Sequence, residues 1–211
     1  MTFGLGSHTI DQTLQLFGRP SKITAMLRAL RDVDSEVEDS FTVILRYDGE
    51  NGNPRANKDL LCLVQTTMVT PMQAPLKCMI RGMNGSYIKF GTDPQEANAL
   101  AGMAATDAEW GVEDESLWGT LTTFSQPFDA NVQSENPKGQ VVPPVGPKGE
   151  KKFIGRYPSK RGNYMGFYED LVKAMNGEKN VEVDPMQSRD GIRVIELARQ
   201  SAEESRTVGW S

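Results

Sequence analysis

An α+β fold is what the sequence predicts: one open, mainly antiparallel β-sheet with helices packed on one face. Three observations point to it. Between Lys22 and Phe90, runs rich in β-branched and aromatic residues alternate with short connections rich in Gly, Asn, Asp and Pro, as strands that pair with their sequence neighbours do. Both ends of the chain instead repeat apolar residues at helical spacing. At 211 residues, 38% hydrophobic and 24% charged, the chain can bury a sizeable core, and we read 1–211 as a single domain.

The first helix is expected from about Ser7 to Phe17, because Ile10, Leu14 and Phe17 fall at i, i+4 and i+7. Ser7 is placed to cap it and Gly18-Arg19-Pro20 to stop it. Ile23 to Leu30 has a core of good helix formers, yet its place before a strand favours extended chain. Phe41 to Tyr47 and Leu60 to Val69 read as strands, with Asp48 to Pro54 turning the chain between them. Leu76–Arg81 and Ser86–Phe90 make a hairpin across Gly82-Met83-Asn84-Gly85, where Asn-Gly is a strong turn signal. Asp93-Pro94 opens a short helix through Ala101. Gly102 to Pro158 shows little periodicity, and its Pro/Gly-rich part, about 131–152, is expected to be a long exposed loop. Two helices close the chain. Tyr164–Met175 sets Phe167, Leu171, Ala174 and Met175 on one face and stops at Asn176-Gly177. The last opens on Asp184-Pro185-Met186-Gln187, an Asp cap with Gln placed for a capping box, and runs to about Ser205 with Val194, Ile195, Ala198 and Ala202 inward.

Composition narrows the functions. The longest aliphatic run, Leu60 to Val64 with Cys62 inside it, is far short of the ~20 apolar residues of a membrane span. With Lys+Arg 23 against Asp+Glu 28 and the basic residues scattered, no phosphate-binding surface for nucleic acid is expected. Cys62 and Cys78 make neither a metal spacing nor a disulfide framework. Met1 to Gly6 lacks the basic start and apolar core of a signal peptide, so a cytoplasmic location is expected and Asn84-Gly85-Ser86 reads as a turn rather than a glycosylation site. Gly4-Leu5-Gly6 starts like a dinucleotide loop, but that motif needs a preceding strand and a third glycine where Thr9 stands. One histidine in the whole chain rules out a multi-histidine metal site, and no metal is expected.

That histidine, His8, falls in the first turn of the predicted first helix. Asp11, at i+3, lies on the same side and could orient the ring. An imidazole held by a carboxylate is an acid/base catalyst; a capping or core histidine is the competing reading. Lys148, Lys151, Lys152, Arg156, Lys160 and Arg161 gather beside Tyr157, either to meet an anionic substrate or cofactor phosphate or as a solvated loop. Trp110 and Trp118 either rim a pocket or bury against the sheet. Arg46 and Tyr47 read as lining a sheet face.

Gly6-Ser7-His8-Thr9-Ile10-Asp11-Gln12, followed by Leu16-Phe17-Gly18-Arg19-Pro20, resembles the opening of the C-terminal domain of the Gfo/Idh/MocA oxidoreductases. The tail agrees, with Gly162-Asn163-Tyr164, Phe167-Tyr168-Glu169-Asp170-Leu171, Val183-Asp184-Pro185 and Ser188 to Glu196 in the family's order and spacing. The resemblance covers essentially the whole chain and is nearest to the fungal branch. It implies a sheet whose open face packs against a second copy and whose helical side carries the substrate pocket. Full-length members use a preceding Rossmann domain for NAD or NADP and move a hydride to or from a sugar, polyol or related alcohol carbon. They also use a lysine of a Glu-Lys-Pro motif, an aspartate and a histidine. The histidine matches His8, the aspartate position falls on Gly4, and the glycine loop and the Glu-Lys-Pro motif are not in this sequence.

The resulting expectation is an oxidoreductase-like protein of small-molecule, in particular secondary, metabolism. It would be related to NAD(P)-dependent sugar and polyol dehydrogenases and form a homo-oligomer through the sheet face. It would bind NAD or NADP only if a Rossmann domain is supplied elsewhere. Two other readings stay open: a cofactor-independent isomerase, dehydratase or cyclase using His8 with Asp11 orienting it, and a non-catalytic dimerisation scaffold.

Overall fold

The computed structural model describes residues 2–50, 58–124, 132–135, 138–141 and 151–210. In chain order the elements are α1 (Ser7–Phe17), β1 (Lys22–Arg28), β2 (Ser40–Arg46), β3 (Leu61–Thr67), β4 (Leu76–Gly82), β5 (Gly85–Phe90), α2 (Gln95–Leu100), β6 (Gly119–Thr123), β7 (Gln133–Ser134), β8 (Gln140–Val141), β9 (Lys151–Tyr157), α3 (Met165–Met175), α4 (Pro185–Glu203) and β10 (Val208–Gly209). The α+β class is as expected. The single open sheet is corrected: the described strands form two sheets, ordered β10-β1-β2-β3 and β4-β5-β6-β9-β7, the second with β8 also on β9. The chain between β3 and β4 carries Pro71 and Pro75, which lack the N–H that a continuing ladder needs. The sheets lie in separate compact units, one of Met1–Pro71 with Val181–Ser211, the other Met72–Asn180.

The first unit is a sheet with helices on one face. Its strands pair antiparallel in register, Ile23 with Leu45 and Leu45 with Cys62. Period-two alternation puts Ile23, Ala25, Phe41, Val43, Leu45 and Val64 on the covered face. In β1 this burial overrides the helix propensity of Ala-Met-Leu-Arg-Ala-Leu. Ile10 of α1 and Val194, Ile195, Leu197 and Ala198 of α4 complete the core. Phe41 is 1% exposed, and trimming such a buried ring to Ala costs about 3–5 kcal/mol.

The ends of these helices follow local chemistry, with two corrections. Ser7 does not cap α1: the chain is already helical from Thr2 to Gly6, and the Ser7 hydroxyl donates to the Gly4 carbonyl at 2.6 Å. Gly18, at φ +71°, does end α1. Asp184 caps α4 as expected, accepting from the Met186 N–H at 2.9 Å, but the Gln187 side chain pairs with Gln15 at 2.6 Å instead of closing a capping box. Ser201, rather than Ala202, is the buried residue of the last turns. Strand β10 covers only Lys22 and Ile23, and the Ser201 hydroxyl takes over the exposed edge, accepting from Ala25 N–H at 3.0 Å and donating to the Arg206 carbonyl at 2.6 Å. Asp39, 1% exposed, closes the β1–β2 connection by accepting from Arg31 and Leu30 N–H, which hold its carboxyl below the usual range.

In the second unit, β4 and β5 form the expected hairpin with Met83-Asn84 at its tip. Gly119 is required by packing: a Cβ there would lie 2.1 Å from the Tyr87 hydroxyl on the neighbouring strand. Strands β6 and β9 fall in the stretch where no periodicity is readable, and the predicted loop at 131–152 is corrected. Its described parts at 133–134 and 140–141 are short strands on β9, too short for alternation to show, and β9 itself starts at Lys151. Positions 131, 136–137 and 142–150 of that loop, and 51–54 of the predicted turn after β2, lie outside the described residues. Lys89 of β5 donates to both Glu113 oxygens (2.6 and 2.5 Å) and to the Leu117 carbonyl (2.7 Å), all inside the unit. The face of α3 expected to be inward is not: none of its residues is buried.

Candidate functional site

His8 and Asp11 stand one turn apart on α1, a turn pinned to the first unit's sheet by Ile10, which is fully buried. His8 is exposed and Asp11 half-buried, and among the described residues no hydrogen bond joins them. The imidazole is therefore open to solvent and to any ligand reaching this end of the helix. Gly4, one turn earlier, is exposed as well, and a Cβ on it would meet nothing within 4 Å.

Arg156, Arg161, Trp110 and Tyr47, also singled out in the sequence, hold backbone or side-chain partners within the fold. Arg156 donates to the Glu115 and Ser116 carbonyls (2.8 and 2.9 Å), and Arg161 to the Trp110 and Asp107 carbonyls (both 2.7 Å). Lys151 reaches the Lys138 carbonyl at 3.4 Å, and Lys148 lies outside the described residues. These cations hold turns rather than converge on a ligand. Trp110 is buried with its indole N–H on Gln95 Oε1 at 3.0 Å, and Trp118 is half-buried. Tyr47 is buried and donates to the Gly18 carbonyl at 3.2 Å; burial pushes its phenol above the ordinary range, while Arg46 beside it is exposed.

Sequence reasoning missed Gln95. It is 1% exposed, accepts from both Trp110 Nε1 and the Tyr164 N–H (2.7 Å), and donates to Asp93. A glutamine behind an Asp-Pro helix start looks like a solvated first-turn residue, so no local signal marks it. Among the described residues no group of His, Cys, Asp and Glu could hold a metal ion. No helix among them is long and apolar enough to cross a membrane.

Among the described residues there is no Rossmann-type cradle for a dinucleotide. The cradle for a pyrophosphate is a parallel strand–glycine loop–helix unit. Every strand pair described is antiparallel, and Gly4-Leu5-Gly6 is helical backbone rather than a strand-to-helix turn.

Comparison with known proteins agrees with this fold. The family model described as the oxidoreductase family's C-terminal alpha/beta domain matches residues 2–209. The oxidoreductase C115.03 of Schizosaccharomyces pombe is 32% identical over 99% of this chain and 51% of its own length. The scyllo-inositol 2-dehydrogenase (NADP(+)) IolW of Bacillus subtilis is 29% identical over 98% and 48%. The solved structure of yvaA from Bacillus subtilis superposes with a TM-score of 0.78 at 28% identity, covering 100% of this chain and 51% of that one. The chain thus spans about half the length of the curated relatives it matches. With a match running from Thr2 to Gly209, the chain belongs to the Gfo/Idh/MocA oxidoreductase family, through its C-terminal alpha/beta domain.

Proposed function

We propose that this chain is the substrate-side half of an oxidoreductase that acts on a small alcohol-bearing molecule, a sugar or polyol. His8 is its acid/base and Asp11 the neighbour able to orient the ring, while NAD or NADP is held by a dinucleotide-binding domain outside these residues. One observation carries the reading: the family match over 2–209 ends in relatives twice as long, one of them named a scyllo-inositol dehydrogenase that uses NADP(+).

Oxidising an alcohol removes a proton from its hydroxyl together with a hydride from its carbon. A neutral imidazole on an exposed helix turn can take that proton and pass it to water, a contribution of about 10²–10⁴-fold in rate. The hydride chemistry belongs to the cofactor, and no step of it is assigned to these residues. The outer face of the first unit's sheet supports a homo-oligomer: Met26, Leu61 and Leu63 are each more than half exposed, an apolar face of the kind a second copy covers.

The test is an NADP(H) fluorescence titration of the purified chain, alone and with a separately supplied dinucleotide-binding domain. Saturable binding by the chain alone would overturn the division of labour. In the reconstituted enzyme His8→Ala is expected to lower turnover of a polyol by about 10²–10⁴-fold; unchanged turnover dismisses His8. Conversion of a substrate by the chain without cofactor would favour the isomerase or dehydratase reading. Sedimentation showing monomer only would remove the sheet-face assembly.

A further inference from the structure

Helix α3 presents an unusual pairing of a firmly held start with an uncovered body. Its eleven residues include none that is buried. Tyr164 at its N-cap, then Phe167, Tyr168, Leu171, Val172 and Met175, are between 38% and 78% exposed. At 100° per residue these side chains fall within about 140° of the helix circumference, one continuous face. Eleven residues is also shorter than the ~12–15 below which an isolated helix is marginal in water. Nothing described in its own unit therefore supplies the apolar burial that normally stabilises such a helix.

The segment leading into it is the opposite. Arg161 donates to the Trp110 carbonyl at 2.7 Å, Gly162 N–H to the Gly111 carbonyl at 2.9 Å, and Tyr164 N–H to Gln95 Oε1 at 2.7 Å. The approach is close enough that a Cβ on Gly162 would stand 2.3 Å from Gln95 Nε2, and one on Gly111 2.4 Å from the Gly162 carbonyl oxygen. Gln95 is almost wholly buried and carries both Tyr164 and Trp110 on one oxygen. This seam is part of the second unit's interior, whereas the helix beyond it is not.

We propose that α3 is a hinged arm, fixed by the seam at residues 161–164 and opening independently of the sheet of its own unit. The arm is a separate cooperative segment at the low end of the chain's local stabilities, with Gln95 as the group that sets where opening stops.

Hydrogen exchange on the whole 211-residue chain tests this, with β5 and β6 as the internal reference. Amides of 169–175 are expected to exchange within about tenfold of the unstructured rate, and those of β5 and β6 at least about a thousandfold more slowly. Protection of 169–175 equal to that of β5 and β6 would overturn the proposal, because it would mean that the arm is covered in solution. Gln95→Ala is expected to extend fast exchange back to 163–168 while β5 and β6 keep their protection. Unchanged exchange at 163–168, or loss of protection in β5 and β6 as well, would overturn the role of Gln95 as the stop.

Discussion

Lys89 gives the sharpest energetic prediction. Its ammonium and the Glu113 carboxylate are 9% and 6% exposed, so the pair is held almost without water, and Ser159 adds a hydroxyl 2.5 Å from Glu113. Lys89→Met removes the cation, leaving a buried carboxylate with only the Ser159 hydroxyl beside it and the Leu117 carbonyl without its Lys89 donor. Leaving one charge of a buried pair costs about 3–5 kcal/mol, whereas replacing both by apolar groups is often close to neutral. Lys89→Met should therefore lower the second unit's stability by about 3–5 kcal/mol, and Lys89→Met/Glu113→Leu should recover most of that loss. With a urea slope of about 2 kcal/mol/M, the single variant's midpoint falls by about 1.5–2.5 M. Tryptophan fluorescence reads the transition by unit, since Trp110 and Trp118 lie in the second and Trp210 in the first; a Trp210→Phe background isolates the former. A single variant that loses less than about 1 kcal/mol, or a double variant no better than the single, would refute the reasoning, because the pair would then be solvated.

Three more outcomes follow from the first unit. Ser201→Ala strands the Ala25 N–H and the Arg206 carbonyl, and urea unfolding should show a loss of about 1–3 kcal/mol. Burial pushes the Cys62 thiol up to about 11, so iodoacetamide at pH 8 should alkylate it on the order of a hundredfold more slowly than in urea-unfolded chain. For Glu38, partial burial pushes the carboxyl up, but the Thr2 hydroxyl at 2.6 Å and further hydrogen bonds outweigh it and hold the group at about 2. A carboxyl lower in the folded than in the unfolded chain contributes in full above its unfolded value of 4.5, and the contribution is lost as pH falls towards 2. Glu38→Gln should flatten the acid-unfolding profile, read by Trp210, across that window; an unchanged profile would remove Glu38 from the account.

What was legible in the sequence tracks how local its cause is. Helices α1 and α4 show themselves because Ile10 and Leu14, or Val194, Ile195 and Ala198, repeat every third or fourth residue against one sheet, and because Gly18 and Asp184 end them by backbone and capping chemistry of their own. The hairpin at Asn84-Gly85 shows for the same reason. Strand β9 does not, since Lys151-Lys152-Phe153-Ile154-Gly155-Arg156-Tyr157 breaks period two, and it is a strand only because β6 and the two-residue strands β7 and β8 pair with it. The division into two sheets was hidden because Pro71 and Pro75 look like an ordinary turn. At the site, His8 stands out as the lone histidine, whereas Gln95 and the Lys89–Glu113 pair are set by partners 15 to 69 and 24 residues away. The inward face expected of α3 fails because an apolar stripe at helical spacing does not say which surface, if any, the helix packs on.

Gly4 separates structural from chemical causes at the candidate site. Family resemblance places an aspartate there, one turn before His8, and the chain has glycine. Glycine is required where φ is positive or where a Cβ would collide. Gly4 meets neither condition: its φ is not positive, and a Cβ would meet nothing within 4 Å. It also sits at the start of a continuous helical stretch running into α1, where a carboxylate is favoured by the helix dipole and glycine is the poorer helix former. Gly4→Asp should thus leave the fold intact and stabilise the first unit by about 0.5–1 kcal/mol in urea unfolding. A loss of more than about 1 kcal/mol would show that packing does demand glycine, and the residue would carry no information about chemistry. If the variant folds as expected, the missing carboxylate is a property of the site and not of the scaffold. Turnover of the reconstituted enzyme with Gly4→Asp, set beside His8→Ala and Asp11→Asn, then shows which carboxylate the imidazole uses.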